Sequence, residues 1–162
     1  SLLWFFIQNT SSEYSGGYFA YTNTYLEPFP LPKNDDKFIE NQMVLKVSDI
    51  LSDTRIYSEL TESFLKFLRS KYDIRILSKK LETWPERTYV DLIKELNKAI
   101  KKAGGTPLDD TAQFNLMKLF EAQKKEALEL KAVIDKTDKE IDQMVYELYG
   151  LSEEEIKIVE GS

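Results

Sequence analysis

Apolar residues recur at steps of three and four from Ile39 to Leu68, apart from one gap at Thr54, and no glycine or proline occurs in residues 33–84. This spacing places apolar side chains on one face of a helix. It predicts one long amphipathic helix ending near Tyr72, about 55 Å long at 1.5 Å per residue, or two helices joined near Ser52 and Asp53. Asn34 or Asp35 can cap its start. The predicted inner face consists of Ile39, Met43, Val47, Ile50, Tyr57, Leu60, Phe64 and Leu68.

The next predicted helix runs from about Thr88 to Ala103. Gly104 and Gly105 follow it and Pro107 lies beyond. Glycine favours the left-handed conformation that terminates a helix, and proline cannot continue one. The predicted inner face of this helix carries Val90, Ile93, Leu96 and Ile100.

Capping signals divide the rest of the chain into three predicted helices. Asp109 to Thr111 can cap the first. Thr137 to Glu140 has the form of a capping box, which predicts a second helix over residues 138–149, closed by Gly150. Residues 152–155 form another box, with carboxylates at the positive end of the last helix. The predicted inner face of the first helix carries Phe114, Met117, Phe120, Ala127, Leu130 and Ile134.

The first 32 residues have a different character and hold nine of the twenty aromatic residues. Leu2 to Gln8 is apolar nearly all round, which predicts a helix buried on most sides, and Asn9 to Ser15 is polar turn sequence. Gly16-Gly17 opens a predicted strand from Tyr18 to Thr22. Since a strand needs a partner for its backbone groups, we expect its partners upstream of this chain.

Prolines at every second position follow this strand, at Pro28, Pro30 and Pro32. Proline cannot sit inside a helix or a central strand, and it pushes the preceding residue toward extended geometry. Residues 27–32 are therefore predicted to form a stiff extended strap that joins two unlike segments.

These patterns predict a mainly α fold. The long amphipathic helices fold back antiparallel into a bundle with coiled-coil-like packing, and a small α/β remnant precedes them. The expected organisation is a segment at residues 1–32, which is the edge of another domain and carries the strap, and a helical tail domain at residues 33–162.

Composition narrows the chemistry. The 162 residues include no cysteine, so there is no disulfide or thiolate chemistry, which fits the cytoplasm. Histidine is absent too, which removes the commonest general base and metal ligand. The longest apolar run, Leu2 to Ile7, is too short to span a membrane and lacks the flanks of a signal peptide. Because the chain opens on Ser1 at an abrupt apolar segment, we expect it to be part of a longer polypeptide.

One basic cluster departs from the net charge of −6. Within residues 66–80 only Asp73 opposes six cations. Such a cluster can bind phosphates; the alternative is a solvated helix end whose cations suit the negative helix terminus. Tyr18, Phe19 and Tyr21 can stack on bases, although strand aromatics more often fill a core. The candidate DNA-binding residues are Arg69, Lys71, Arg75, Lys79 and Lys80, with Lys66 beside them.

Two acidic motifs can be read as metal sites, but capping explains them better. Glu155-Ile156-Lys157 matches the end of a nuclease motif, yet Glu155 belongs to a capping box. Asp109 and Asp110 enter a helix after Pro107, where carboxylates serve as caps. Gly16-Gly17 and Gly104-Gly105 lack the spacing of a phosphate-binding loop. The sequence therefore predicts no catalytic, cofactor-binding or metal-binding residue.

Three segments carry a resemblance to a known family. GGYF at residues 16–19 with YLEPFPLP at 25–32, LSKKLETW at 77–84, and TDKEIDQMVYELYGLSEEEIKIVE at 137–160 are similar to the C-terminal region of TaqI-like and Eco57I-like adenine-specific DNA methyltransferases. Many of these are fused type II restriction-modification enzymes. The resemblance covers essentially the entire chain. It implies that residues 1–32 are the C-terminal edge of the target recognition domain.

The resemblance also implies what this chain lacks. In the family, a nuclease and a methyltransferase that uses S-adenosylmethionine precede the recognition domain, and the nuclease needs magnesium. The methyltransferase motif contains a Pro-Pro pair, which is missing here. The resemblance implies a non-catalytic specificity segment that meets double-stranded DNA through its parent protein and contacts the upstream domains of the same chain. The alternative is a helical protein–protein interaction module unrelated to DNA.

Overall fold

The computed structural model describes residues 2–14, 18–19, 22–32 and 37–161. Its regular elements are mostly helices, which confirms the mainly α prediction. Helices occupy α1 (Leu2–Thr10), α2 (Asn23–Leu26), α3 (Lys37–Tyr72), α4 (Lys79–Glu82), α5 (Tyr89–Lys102), α6 (Asp110–Tyr149) and α7 (Glu153–Glu160), with a 3₁₀ turn at Trp84–Glu86 and strands β1 (Glu13–Tyr14) and β2 (Tyr18–Phe19).

The chain forms two compact units. Unit 1 comprises residues 1–48 and 136–162, and unit 2 comprises residues 49–135. The long helices α3 and α6 each contribute to both units. The predicted division of the chain after residue 32 stays a prediction.

The core of unit 2 is built around three aromatic rings. Trp84 is fully buried, and its ring centroid lies 4.3 Å from that of Phe64 and 5.9 Å from that of Phe120. Aromatic pairs at such separations add to the stability that burial gives. The buried residues of this core are Phe64, Leu68, Ile74, Leu77, Leu81, Trp84, Leu92, Leu96, Ile100, Leu116, Phe120 and Ala127.

The predicted inner faces are right in most positions and wrong at three. Val47, Val90 and Phe114 are 40%, 74% and 53% exposed. In α5 the buried stripe is Leu92, Leu96 and Ile100, at steps of four residues. Val90 lies off this stripe and faces solvent.

Helix α3 is continuous, so the alternative of a break at Ser52 and Asp53 is wrong. Helix α6 is continuous too, and the predicted start of a helix at Asp138 is wrong. Ile134, Thr137 and Ile141 are all half-buried, so the inner face of α6 continues through the predicted boundary. A capping-box spacing acts only where a helix begins. Here the residues before and after Thr137 are both helical, so the spacing caps nothing.

The predicted helix ends are otherwise confirmed. Thr88 caps α5, because its Oγ1 accepts a hydrogen bond from the Asp91 amide, and the Asp109 side chain accepts one from the Ala112 amide. Gly150 adopts the left-handed conformation with a φ of 65°. The proposed caps Asn34 and Asp35 lie outside the described residues.

The N-terminal strand has a local partner. β1 and β2 pair antiparallel, with Glu13 opposite Phe19 and Tyr14 opposite Tyr18. The prediction that the partner lies upstream is therefore wrong. Of the segment predicted as a turn, residues 9–10 end α1 and residues 13–14 form the strand. Gly16, Gly17, Ala20 and Tyr21 lie outside the described residues.

The strap and α1 also differ in detail from expectation. Glu27 precedes Pro28 but is helical, with φ −55° and ψ −39°, because its amide bonds to the Asn23 carbonyl and closes α2. The Phe29 amide donates a 3.0 Å hydrogen bond to the Leu26 carbonyl, so residues 27–29 turn and the predicted extended strap is wrong there. Residues 30–32 have no regular structure, and their extended geometry stays a prediction. In α1, Ile7 is fully buried whereas Leu3 is 39% exposed, so the helix is not buried on most sides.

Contacts within unit 1 hold the strap in place. The Phe29 ring centroid lies 5.1 Å from that of Phe6 and 5.9 Å from that of Tyr149. The Tyr149 hydroxyl donates a 2.6 Å hydrogen bond to the Pro30 carbonyl. The strap is thereby attached to the last turn of α6.

Candidate nucleic-acid interface

Positive charge concentrates in one stretch of unit 2. Residues 66–102 carry eleven Lys and Arg against five Asp and Glu, a formal charge of +6 in a chain of net charge −6. We call these eleven side chains the basic surface. They are Lys66, Arg69, Lys71, Arg75, Lys79, Lys80, Arg87, Lys94, Lys98, Lys101 and Lys102.

The two units differ in charge. Unit 2 has 16 basic and 15 acidic residues, for a net charge of +1, and unit 1 has six basic and 13 acidic residues, for −7. The acidity of the chain therefore belongs to unit 1. A polyanion meets less repulsion at unit 2.

The predicted DNA-binding residues lie on three consecutive elements. Arg69 and Lys71 are in the last turn of α3, and Lys79 and Lys80 form the first turn of α4. Arg75 lies in the connection between them. All five side chains are exposed.

Buried residues and backbone geometry fix the connection that carries Arg75. Ile74 and Leu77 are buried in the core of unit 2, so Arg75 is anchored on both sides. Asp73 has a φ of 50°, a left-handed conformation that is uncommon outside glycine, and it ends α3. Ser78 then caps α4 by accepting a hydrogen bond from the Leu81 amide.

Few acidic partners neutralise the predicted residues. The amine of Lys71 lies 5.3 Å from the centroid of the Phe67 ring and 5.9 Å from that of Tyr72, where the rings attract the cation. Lys66 pairs with Glu62 at 3.3 Å. Among the described residues, none of Arg69, Lys71, Arg75, Lys79 and Lys80 forms a salt bridge.

Two of the five predicted DNA-binding residues line surface cavities, each a different one. Arg75 lines a groove of about 320 Å³ with Lys102, beside Ile76. Lys80 lines a cleft of about 110 Å³ with Arg87 and Lys94. Neither cavity is lined by Arg69, Lys71 or Lys79.

The α5 cations were absent from the predicted set, although a signal existed. Lys94, Lys98 and Lys101 are spaced four and three residues apart, which places them along one face of a helix. What the sequence does not reveal is that α5 brings Lys94 and Lys102 beside Lys80 and Arg75.

The acidic motifs act as caps. Glu155 accepts hydrogen bonds from the Ser152 amide and hydroxyl, at 2.8 and 2.9 Å, and these bonds lower the pKa of the Glu155 carboxyl. Asp109 caps α6. Within the described ranges, no three acidic side chains gather in a way that could hold a metal ion.

The glycine pair at Gly104 and Gly105 lies at the end of a helix, not at the start of one. Gly104 and Gly105 follow the C-terminus of α5, whereas phosphate-binding glycines precede the N-terminus of a helix. Gly16 and Gly17 lie outside the described residues. Gly104 and Gly105 therefore do not have the position of a phosphate-binding loop.

The candidate stacking aromatics have different surroundings. Phe19 packs edge-on against Trp4, with ring centroids 5.3 Å apart, as expected of a structural residue. Tyr18 is 73% exposed. Tyr21 lies outside the described residues.

Comparison with known proteins identifies one family. A family model described as a domain of unknown function, DUF8810, matches residues 36–145. No curated protein and no solved structure matches the chain. In the ranges that the structure describes, no helix is both long and apolar enough to cross a bilayer.

Proposed function

The chain belongs to the DUF8810 family, whose function is unknown, and we propose that it is the C-terminal DNA-specificity segment of a site-specific adenine DNA methyltransferase or fused restriction-modification protein. The observation that carries this proposal is the formal charge of +6 on residues 66–102, the stretch that holds the basic surface, in a chain of net charge −6. The strap and residues 137–160 also resemble the C-terminal region of TaqI-like and Eco57I-like methyltransferases, which agrees with the proposal.

The role of the basic surface is to hold the DNA backbone. Lysine and arginine that neutralise phosphates release counterions, which supplies affinity without reading sequence. Such contacts set the register and orientation of a protein on the duplex. Arg69, Arg75 and Lys79 suit this task because they are exposed on elements anchored in the unit 2 core.

Catalysis belongs to the parent protein in this proposal. S-adenosylmethionine binds the upstream methyltransferase domain, and magnesium binds a nuclease domain where one is fused. The chain itself contributes DNA contacts and docks on the upstream domains. A protein that modifies or cuts DNA at specific sites works in the cytoplasm, which is the compartment we propose.

The test uses the full-length protein with all five predicted cations changed to glutamine: Arg69, Lys71, Arg75, Lys79 and Lys80. We expect weaker duplex binding and a shallower dependence of affinity on salt, by about 0.9 in the logarithmic slope for each lost phosphate contact. Fluorescence anisotropy over a salt series measures both.

A charge-matched control separates local contact from net charge. It changes five exposed cations elsewhere to glutamine, so both variants lose five positive charges: Arg55, Lys118, Lys125, Lys136 and Lys139. This control should keep the affinity and slope of the natural protein. Equal behaviour of the two variants would refute a local DNA contact at the basic surface.

The alternative, a helical protein–protein interaction module, also has a specific observation in its favour. Phe38, Val44 and Leu45, all on the part of α3 that belongs to unit 1, are 62–69% exposed. Clustered exposed apolar residues commonly mark a protein contact. The coding sequence upstream of Ser1 discriminates: a Pro-Pro-Tyr or Pro-Pro-Phe methyltransferase motif supports the DNA role, and a start codon beside Leu2 supports the alternative.

A further inference from the structure

The cleft beside the N-terminus of α5 gathers cations from three elements. Lys80 comes from α4, Arg87 from the connection after the 3₁₀ turn, and Lys94 from α5. Asp91 and Glu95 also line the cleft. Three cations against two carboxylates leave it with a formal charge of +1.

Other residues already hold the two carboxylates. Asp91 accepts a 2.8 Å hydrogen bond from the Thr88 hydroxyl, and Glu95 accepts one of 2.8 Å from Lys98. The bond from Lys98 is the main reason that the pKa of Glu95 is lowered, and the charges of Lys80 and Lys94 lower it further. Asp91 and Glu95 therefore take their hydrogen bonds from Thr88 and Lys98, not from the three cations that line the cleft.

Arg87 is held in position. Its Nε and Nη2 donate to the Thr83 Oγ1 at 3.2 and 3.1 Å, and the Lys124 amine donates to its carbonyl. A fixed guanidinium loses less conformational freedom when it binds an anion. Arg87 lies two residues before α5, a 14-residue helix whose N-terminus carries a partial positive charge.

We propose that Lys80, Arg87 and Lys94 form a binding site for one phosphate group, supplied by the DNA backbone. This inference rests on the proposed function and adds Arg87 and Lys94 to its contacts. The volume of about 110 Å³ suits a single phosphate and is small for a nucleotide.

The first experiment measures phosphate binding without DNA. Inorganic phosphate is titrated into the chain at constant ionic strength, with chloride as the exchanged anion, while backbone amide shifts are followed by NMR. We expect saturable shifts at residues 87–91. Shifts that do not saturate, or that chloride reproduces, would overturn the site.

Two opposite variants sharpen this test. The double variant Arg87→Gln with Lys94→Gln should raise the Kd for inorganic phosphate by about a hundredfold, since each lost charge-assisted hydrogen bond is expected to cost about tenfold. Glu95→Gln removes an opposing charge and should lower the Kd. A gain of binding cannot come from damaged folding, so an unchanged or raised Kd in Glu95→Gln contradicts the site.

Duplex DNA identifies the source of the phosphate. In the full-length protein the double variant should flatten the salt slope by about 0.9 per lost contact, while Lys118→Gln with Lys125→Gln should leave it unchanged. If the five-residue variant weakens DNA binding but this double variant does not, the cleft is wrong and the proposed function stands. A third outcome is that inorganic phosphate binds at the cleft but neither variant changes DNA binding. The phosphate then does not come from the DNA backbone, and the proposed function is wrong too.

Discussion

The indole nitrogen of Trp84 donates a 3.3 Å hydrogen bond to the main-chain carbonyl of Thr61. Through it the 3₁₀ turn is attached to the C-terminal third of α3, and the Trp84 ring packs against Phe64 one turn further on. The two residues are 23 positions apart in the chain. This contact anchors the segment from which Lys79, Lys80 and Arg87 of the basic surface extend.

Loss of the Trp84 ring should strongly destabilise unit 2. Trp84→Ala removes a fully buried aromatic side chain, and large cavities of this kind cost about 3–5 kcal/mol. Trp84→Phe keeps most of the packing and should cost less. Urea denaturation followed by circular dichroism measures both, with Phe114→Ala, an exposed aromatic, as the control. Equal losses in Trp84→Ala and Phe114→Ala would contradict the assigned core.

Proline at position 138 tests the continuity of α6. Inside a helix proline removes a backbone hydrogen bond and clashes with the preceding turn, at a cost of about 3 kcal/mol or more. Asp138→Pro should therefore destabilise the protein, because residue 138 lies within α6. At the first position of a helix proline is tolerated.

Glu153→Pro supplies the comparison for that substitution. Glu153 is the first residue of α7, so this variant should keep its stability. Thermal melts of the two variants give the answer. A stable Asp138→Pro would mean that a new helix begins there.

Replacing Gly150 should reveal the cost of its left-handed backbone. An added Cβ would meet no atom within 4 Å, so strain at a φ of 65° is the only penalty. Gly150→Ala should lose about 1–2 kcal/mol. Gly150→Asn should lose less, since asparagine adopts this conformation more readily. Chemical denaturation ranks the three proteins, and an asparagine variant less stable than the alanine variant would contradict this explanation.

The ion pair of Lys46 with Glu140 should make stability depend on pH. The Lys46 Nζ lies 2.6 Å from the Glu140 Oε2. The hydrogen bond and the charge of Lys46 lower the pKa of the Glu140 carboxyl. Because the folded pKa is below the unfolded one, the stabilisation is complete above the unfolded pKa and disappears as pH falls through the folded pKa.

NMR titration of the Glu140 carboxyl carbon checks this. Lys46→Gln should return the pKa of Glu140 toward its ordinary value and remove that acid-range dependence. Lys136, which lies 3.8 Å from Glu140, contributes less to the lowered pKa, so Lys136→Gln should change it less. A larger effect from Lys136→Gln would reverse the assignment.

Local signals in the sequence predicted α1, α3, α5 and α7 and most of their ends, but not the short helices α2 and α4. Thr88, Gly104, Gly150 and Ser152 act as the sequence indicated, because a cap or a left-handed glycine depends on a few neighbouring residues. The same signals failed at Thr137. There the capping-box spacing occurs inside α6, which continues as one helix from Asp110 to Tyr149.

The sequence by itself determined a mainly helical chain with one basic stretch. Apolar periodicity and local charge depend only on the order of residues along the chain. The tertiary structure alone decided which distant residues meet. It paired β1 with β2, buried Trp84 against Phe64, and brought Lys94 of α5 beside Lys80 of α4. The physical reason is that these contacts depend on packing between elements, and no local spacing records the side of an element on which its neighbour lies.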